Sequence, residues 1–144
     1  ADFQLTLLAC LGKRFNCLQE VCDELQLKRV ACVHARAEEF AMQHREQFDI
    51  ATSRAVAQLS ILSELCLPLI KVGGQFVAMK SVDTEDEIDA AKSAIKTLGG
   101  HIVKVEDYTI PTSDVVHRLV IVEKVSPTPR AYPRAFANIK KAPL

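Results

Sequence analysis

Short apolar runs alternate with amphipathic stripes along most of this chain. That βαβα rhythm constrains the fold more than any other feature, because it calls for a mostly parallel sheet flanked by helices. Gln4–Leu8, Val30–Val33 and Phe48–Thr52 read as strands. Gln75–Met79 reads as a fully buried strand entered through a turn at Gly73-Gly74. Between them, Leu11, Phe15, Leu18, Cys22 and Leu25 fall at helical spacing, predicting a helix over Leu11–Gln26. Ala37–Arg45 is a short helix or loop, and Leu59, Leu62, Cys66 and Leu69 form a second stripe that Pro68 should stop. Thr84-Glu85-Asp86-Glu87 is a capping box ahead of the stripe Ile88, Ala91, Ile95 and Leu98, and Gly99-Gly100 sits where a helix end favours positive φ. The rhythm then changes. His101–Tyr108 and Arg118–Val125 have no long helix between them, so they should pair antiparallel at one end of the sheet. Residues 1–125 are therefore expected to form the domain, and 126–144 an irregular proline-rich tail carrying Arg130, Arg134, Lys140 and Lys141 and no acidic residue.

The 144 residues suffice for one domain with a real core, and 18 basic against 18 acidic residues exclude a uniformly basic coat while leaving local patches open. Five cysteines, none spaced C-x-x-C, fit reduced thiols in a cytoplasmic protein better than a disulfide scaffold or zinc finger. Cys17, Cys22 and Cys66 lie on helix stripes and read as core residues; Cys10, at a strand end, does not. The longest apolar stretch, Ile61–Ile70, contains Glu64 and is about half of what a membrane span needs, so no membrane association is expected. The four histidines lack metal-ligand spacing, so no metal is expected either.

Neither G-x-G-x-x-G nor a P-loop is present. The strand ends are more informative, since ligands of open α/β sheets bind beyond the carboxyl ends of the strands. Cys10-Leu11-Gly12-Lys13-Arg14, His34-Ala35-Arg36-Ala37-Glu38-Glu39, Ser53-Arg54-Ala55 and Lys80 all fall there. A ligand cleft would use them; so would ordinary solvated helix starts, with Glu38 and Glu39 favouring a helix N-terminus. Spacing alone leaves both readings open.

Taken with their neighbours, these residues resemble the RsmG (GidB) family of bacterial 16S rRNA guanine-N7 methyltransferases. The resemblance rests on Leu11-Gly12-Lys13-Arg14-Phe15, Arg36-Ala37-Glu38-Glu39-Phe40, Phe48 to Ala57 with its Ser53-Arg54-Ala55 core, Leu65-Cys66-Leu67-Pro68-Leu69, Phe76-Val77-Ala78-Met79-Lys80 and Tyr132-Pro133-Arg134. It implies a Rossmann-like class I methyltransferase sheet, mostly parallel with an antiparallel C-terminal strand, that uses S-adenosyl-L-methionine as cofactor. Its partner would be 16S rRNA or the small-subunit ribosomal particle, in the cytoplasm. By the same resemblance Ala37 and Glu38 contact the adenosine end of the cofactor and Arg54 lies near cofactor and site. Lys13, Arg14, Lys80, Arg130, Arg134, Lys140 and Lys141 are candidate RNA-facing cations.

Two departures accompany it. The family's glycine-rich cofactor loop has no counterpart here, and the chain begins with Ala; the expectation is the C-terminal part of a longer protein, lacking the first strand and an N-terminal helical region. The sheet would then lack a central member and expose strand edges, so the chain alone should be marginal or self-associate. Second, Ala9-Cys10-Leu11 stands where the family carries an acidic residue for the ribose hydroxyls; losing such a contact weakens binding by roughly 1.5–3 kcal/mol. A truncated inactive fragment, a non-catalytic RNA-binding module and an unrelated α/β protein such as a dehydrogenase piece are the competing readings.

Overall fold

The computed structural model describes residues 3–54 and 57–144. By compactness these divide into a unit ending at Phe40 and a unit starting at Ala41.

In the first unit, β1 (Leu5–Ala9) pairs in parallel with β2 (Val30–His34), in register from Leu5↔Val30 to Ala9↔His34. Helix α1 (Gly12–Glu24) makes the crossover. Leu11 at its N-cap gives no side-chain cap, and the helix ends with the Leu25 N–H donating to the Val21 carbonyl. The burial here is thin. Cys22 is the hydrophobic residue of this unit that is fully buried among the described residues, with its sulfur 3.6 Å from that of Cys32. Cys17, expected in the core, is exposed, and of the α1 residues Cys22 alone is buried. Helix α2 (Ala37–Gln43) starts three residues after β2 and runs across the boundary between the units.

The second unit holds a four-stranded sheet in the order β3-β4-β6-β5, built from β3 (Phe48–Arg54), β4 (Ile70–Ser81), β5 (Gly100–Thr109) and β6 (Val116–Lys124). β3 and β4 are parallel; β6 runs antiparallel to both β4 and β5. Helices α3 (Leu59–Cys66) and α4 (Glu85–Thr97) cover one face. Leu59 and Leu62 of α3 and Ile88, Ala91 and Ile95 of α4 meet Phe76, Ala78, Val120 and Val122 of the sheet in a single cluster. Each Leu, Ile, Val or Phe side chain removed from water there contributes about 1.5–3 kcal/mol, which makes this cluster the main source of stability.

Four expectations are corrected. Gly73-Gly74 is not a turn: β4 passes straight through, and the pairing with β3 skips there, from Phe48↔Ile70 to Ile50↔Gln75. Gly73 takes φ +93°, and a Cβ on Gly74 would collide with the Asp49 carbonyl, so this irregularity needs both glycines. Gln75–Met79 is not fully buried: Phe76 and Ala78 are sealed under the helices, whereas Gln75 is exposed and Val77 and Met79 half-buried, the alternation of a sheet covered on one face. The capping box does not form. Thr84 caps nothing and donates its hydroxyl to the Ser81 carbonyl, because Glu87 is engaged elsewhere. The tail, finally, is not wholly irregular, since α5 (Phe136–Lys141) forms within it and buries Ile139. The positive φ expected after α4 is present at Gly99, +92°, where any Cβ would run into the Ser126 carbonyl.

Candidate functional site

The carboxyl ends of the parallel strands carry the residues singled out from sequence. In the first unit, β1 ends at Ala9 and the chain turns into α1, which presents Lys13 and Arg14 in its exposed first turn. His34, closing β2, stacks on Phe15 with ring centroids 5.4 Å apart, and its Nε2 lies 3.2 Å from the Cys10 carbonyl oxygen. Those contacts fix the two strand ends against each other. Ala37 and Glu38 open α2; the Glu38 carboxylate is only 10% exposed and meets Arg36 at the long distance of 3.9 Å. Its oxygens therefore retain capacity to accept from a ligand N–H or O–H.

In the second unit, β3 leaves the ladder at Arg54, which is exposed and paired in register with Met79. Ala55 and Val56 of the S-R-A-V-A motif lie outside the described residues. Ser53 Oγ is buried with no hydrogen-bond partner among the described residues, a state that costs about 1–3 kcal/mol. Lys80 is 7% exposed, and its ammonium group is taken up inside the chain: it donates to the Ala57 carbonyl at 2.8 Å and pairs with Glu87 at 2.6 Å. Glu87 Oε1 also accepts the Leu59 N–H at 2.8 Å, so a carboxylate of α4 caps the start of α3.

The tail is strapped to the second unit. Arg45 donates to the carbonyls of Tyr132 at 2.7 Å, Thr128 at 2.7 Å and Pro129 at 2.8 Å, and Thr128 donates its hydroxyl to the Leu98 carbonyl at 2.6 Å. Glu64, fully buried in α3, receives the Arg134 backbone N–H at 2.8 Å and two guanidinium nitrogens at 2.7 and 3.0 Å. That pairing holds Arg134 even more firmly protonated than usual. Lys124, also buried, donates to the Leu67 and Ile70 carbonyls at 2.7 and 2.9 Å, and burial lowers its pKa from 10.5 to about 8. Burial pushes the Cys66 thiol up to about 12, in keeping with a packing role.

Of the seven candidate RNA-facing cations, Lys13, Arg14, Arg130, Lys140 and Lys141 are exposed, while Lys80 and Arg134 are engaged in ion pairs within the chain. Arg45 and Lys124 carry no signal in the sequence, Glu64 shows only as an acid inside an otherwise apolar run, and Glu87 reads there as a capping-box member rather than as a partner of Lys80 and Leu59.

The family description "GidB: rRNA small subunit methyltransferase G" matches residues 1–116. The chain belongs to the GidB family. Ribosomal RNA small subunit methyltransferase G of Clostridium botulinum (strain ATCC 19397 / Type A) is 49% identical over 99% of the chain, and that of Clostridium perfringens (strain SM101 / Type A) 46%. The chain spans 61% of the length of each of these curated relatives. Among solved structures, an rRNA methylase from Streptococcus thermophilus matches 85% of the chain and 74% of its own length, with a TM-score of 0.61 at 14% identity. M. jannaschii TYW2 in complex with AdoMet matches 85% of the chain and 58% of its own, with a TM-score of 0.64 at 14% identity. The GidB chain thus has the class I methyltransferase fold, mostly parallel with antiparallel strands at one end. Among the described residues no helix is long and apolar enough to cross a membrane, and no cluster of side chains could hold a metal ion.

Proposed function

We propose that this chain belongs to an S-adenosylmethionine-dependent methyltransferase that modifies guanine N7 of 16S rRNA in the bacterial cytoplasm. The observation that carries the reading is the family match over residues 1–116, together with the family's motif residues lying at strand ends. The residues present suit the adenosine end of the cofactor: Ala37 is small and Glu38 offers acceptor oxygens, though Ala9 offers a ribose no side-chain acceptor. When bound, S-adenosylmethionine supplies a methyl group on a positively charged sulfur.

The chain's own task is then to bind and orient. Guanine N7 has an in-plane lone pair and needs no deprotonation to act as a nucleophile, so no general base is required. Glu38 would hold the adenosine end and Arg54 would face cofactor and site. Lys13, Arg14, Arg130, Lys140 and Lys141 would contact RNA phosphates, a salt-sensitive interaction without sequence information. Arg134 serves the tail cations from behind, by holding the tail to Glu64, and Lys80 is engaged by Ala57 and Glu87 rather than by RNA.

The test is methyl transfer to 16S rRNA by this chain carried within a protein of its curated relatives' full length. N7-methylguanine lost on Arg54→Ala is the expected result; an intact protein that binds rRNA yet leaves N7 unmodified overturns the reading.

A further inference from the structure

We propose that Arg45 is a positioning residue for RNA: its guanidinium group builds the turn that presents Arg130 to a backbone phosphate, at the end of the second unit opposite Arg54. The inference deepens the proposed reading and rests on it for the identity of the ligand. Arg45 lies three residues ahead of β3. One guanidinium nitrogen donates to the Tyr132 carbonyl at 2.7 Å, and another to the carbonyls of Thr128 at 2.7 Å and Pro129 at 2.8 Å. The Tyr132 N–H donates to the Pro129 carbonyl at 3.0 Å, so Arg130 and Ala131 form the tip of a tight turn. A planar fork thus bridges the two legs of that turn. Thr128 is also held by the Leu98 carbonyl, but that bond reaches one leg only. Arg130 itself is exposed and has no ion-pair partner among the described residues, and the tail around it contains no acidic residue.

The strand register places this turn far from the strand end that carries Arg54. Arg54 lies opposite Met79, and Met79 opposite Leu119. The tail departs after Lys124, which pairs with Gly100 at the start of β5, and the Val125 and Ser126 N–H groups bond back to the Gly99 carbonyl. The stretch of β6 from Leu119 to Lys124 spans about 16 Å. Arg45 precedes β3 and Leu98 precedes β5, so both anchors of the turn belong to that same distant end. A phosphate met by Arg130 therefore belongs to a different part of the RNA from the guanine at the Arg54 end. Such a contact adds affinity and orientation without reading a base. Arg45 is not the phosphate contact itself, because its nitrogens are committed to carbonyls and its charge faces Glu46 at 3.7 Å.

The experiment compares Arg130→Ala, Arg45→Lys and the double variant in a protein of the curated relatives' full length, by 16S rRNA binding across a salt series, steady-state methylation and thermal melting. Arg130→Ala should weaken RNA binding severalfold and lower the slope of log Kd against log salt by about one. Arg45→Lys keeps the charge but loses the fork, so it should lower the slope by the same amount, and adding Arg130→Ala to it should cost nothing further. In methylation both losses should fall on KM for RNA, not on KM for the cofactor or on kcat. An Arg45→Lys protein with the parent's salt slope overturns the inference even if it melts earlier, since a purely structural role lowers stability without removing a phosphate contact. An Arg130→Ala protein that binds RNA like the parent overturns it as well, and one that loses kcat places Arg130 at the transfer site instead. Should the parent bind 16S rRNA yet transfer no methyl group, the methyltransferase reading fails by itself, and the salt slopes still decide the role of the turn.

Discussion

The two units use the same strand-helix-strand grammar with opposite results. Unit two closes a twelve-residue buried cluster between α3, α4 and a four-stranded sheet. The first has one helix against two parallel strands and, among its described residues, buries a single hydrophobic one, Cys22, while Leu5, Leu11, Val21, Leu25 and Leu27 stay largely exposed. Parallel strands depend on cover over both faces, and a two-stranded sheet with one helix cannot provide it. A βαβ pattern in sequence therefore announces how the chain turns, while the number of neighbours decides whether the turn is stable.

The largest effects should come from the second unit. Phe76→Ala empties the centre of its cluster and should lower stability by about 3–5 kcal/mol in chemical denaturation. Glu64→Ala should cost less, about 1–3 kcal/mol, since it removes the partner of the partly exposed Arg134 guanidinium and of the Arg134 backbone N–H that hold the tail. It should also expose the tail to proteolysis after Arg130 and Arg134. If Glu64→Ala melts like the parent and its tail stays protected, the strap is incidental, and the second unit owes its stability to the apolar cluster alone.

Which parts of this were legible beforehand follows from the range of the interactions. Stripes such as Ile88, Ala91 and Ile95 repeat along one helix and announce their buried face, and Gly99 marks a helix end by local geometry alone. The S-R-A and R-A-E motifs placed Arg54, Ala37 and Glu38 near strand ends by local sequence alone: Arg54 closes β3, and Ala37 and Glu38 open α2 a few residues after β2. Contacts between distant segments left no such trace. The Glu87 bonds to Leu59 and Lys80 cancelled a capping box that local sequence favoured, and Arg45 reaches carbonyls more than eighty positions away. A basic, proline-rich tail looks the same in sequence whether it is loose or strapped; the strap lies in Arg45 and Glu64, neither of which belongs to it.

Lys124 offers a smaller and more selective test of the second unit. Its folded pKa, about 8, lies below its ordinary value of 10.5, so between these values the unfolded chain binds more protons than the folded one. Stability should therefore rise as pH increases from 8 to 10.5, by up to roughly 3 kcal/mol, since below pH 8 the folded state bears the full cost of the buried charge. The neutral amine still has two N–H groups for the Leu67 and Ile70 carbonyls, so the contacts survive deprotonation. Lys124→Met should abolish the rise, and a Lys124→Met protein with the same alkaline gain would assign it to another group.

The smallest effect should be found in the first unit, where it sharpens the comparison most. Cys22→Ala removes one sulfur from a thin contact, and should change global stability by less than about 1 kcal/mol. If the two units are as unequal as their burial, amides of β1 and β2 should exchange through local opening well before those of β4 and β6, and Cys22→Ala should speed only the former. Global and local measurements then separate: the melt reports the second unit, exchange reports the first. A Cys22→Ala chain whose β4 amides also lose protection would mean that the two units unfold together, and that the first draws on stability its own contacts do not supply.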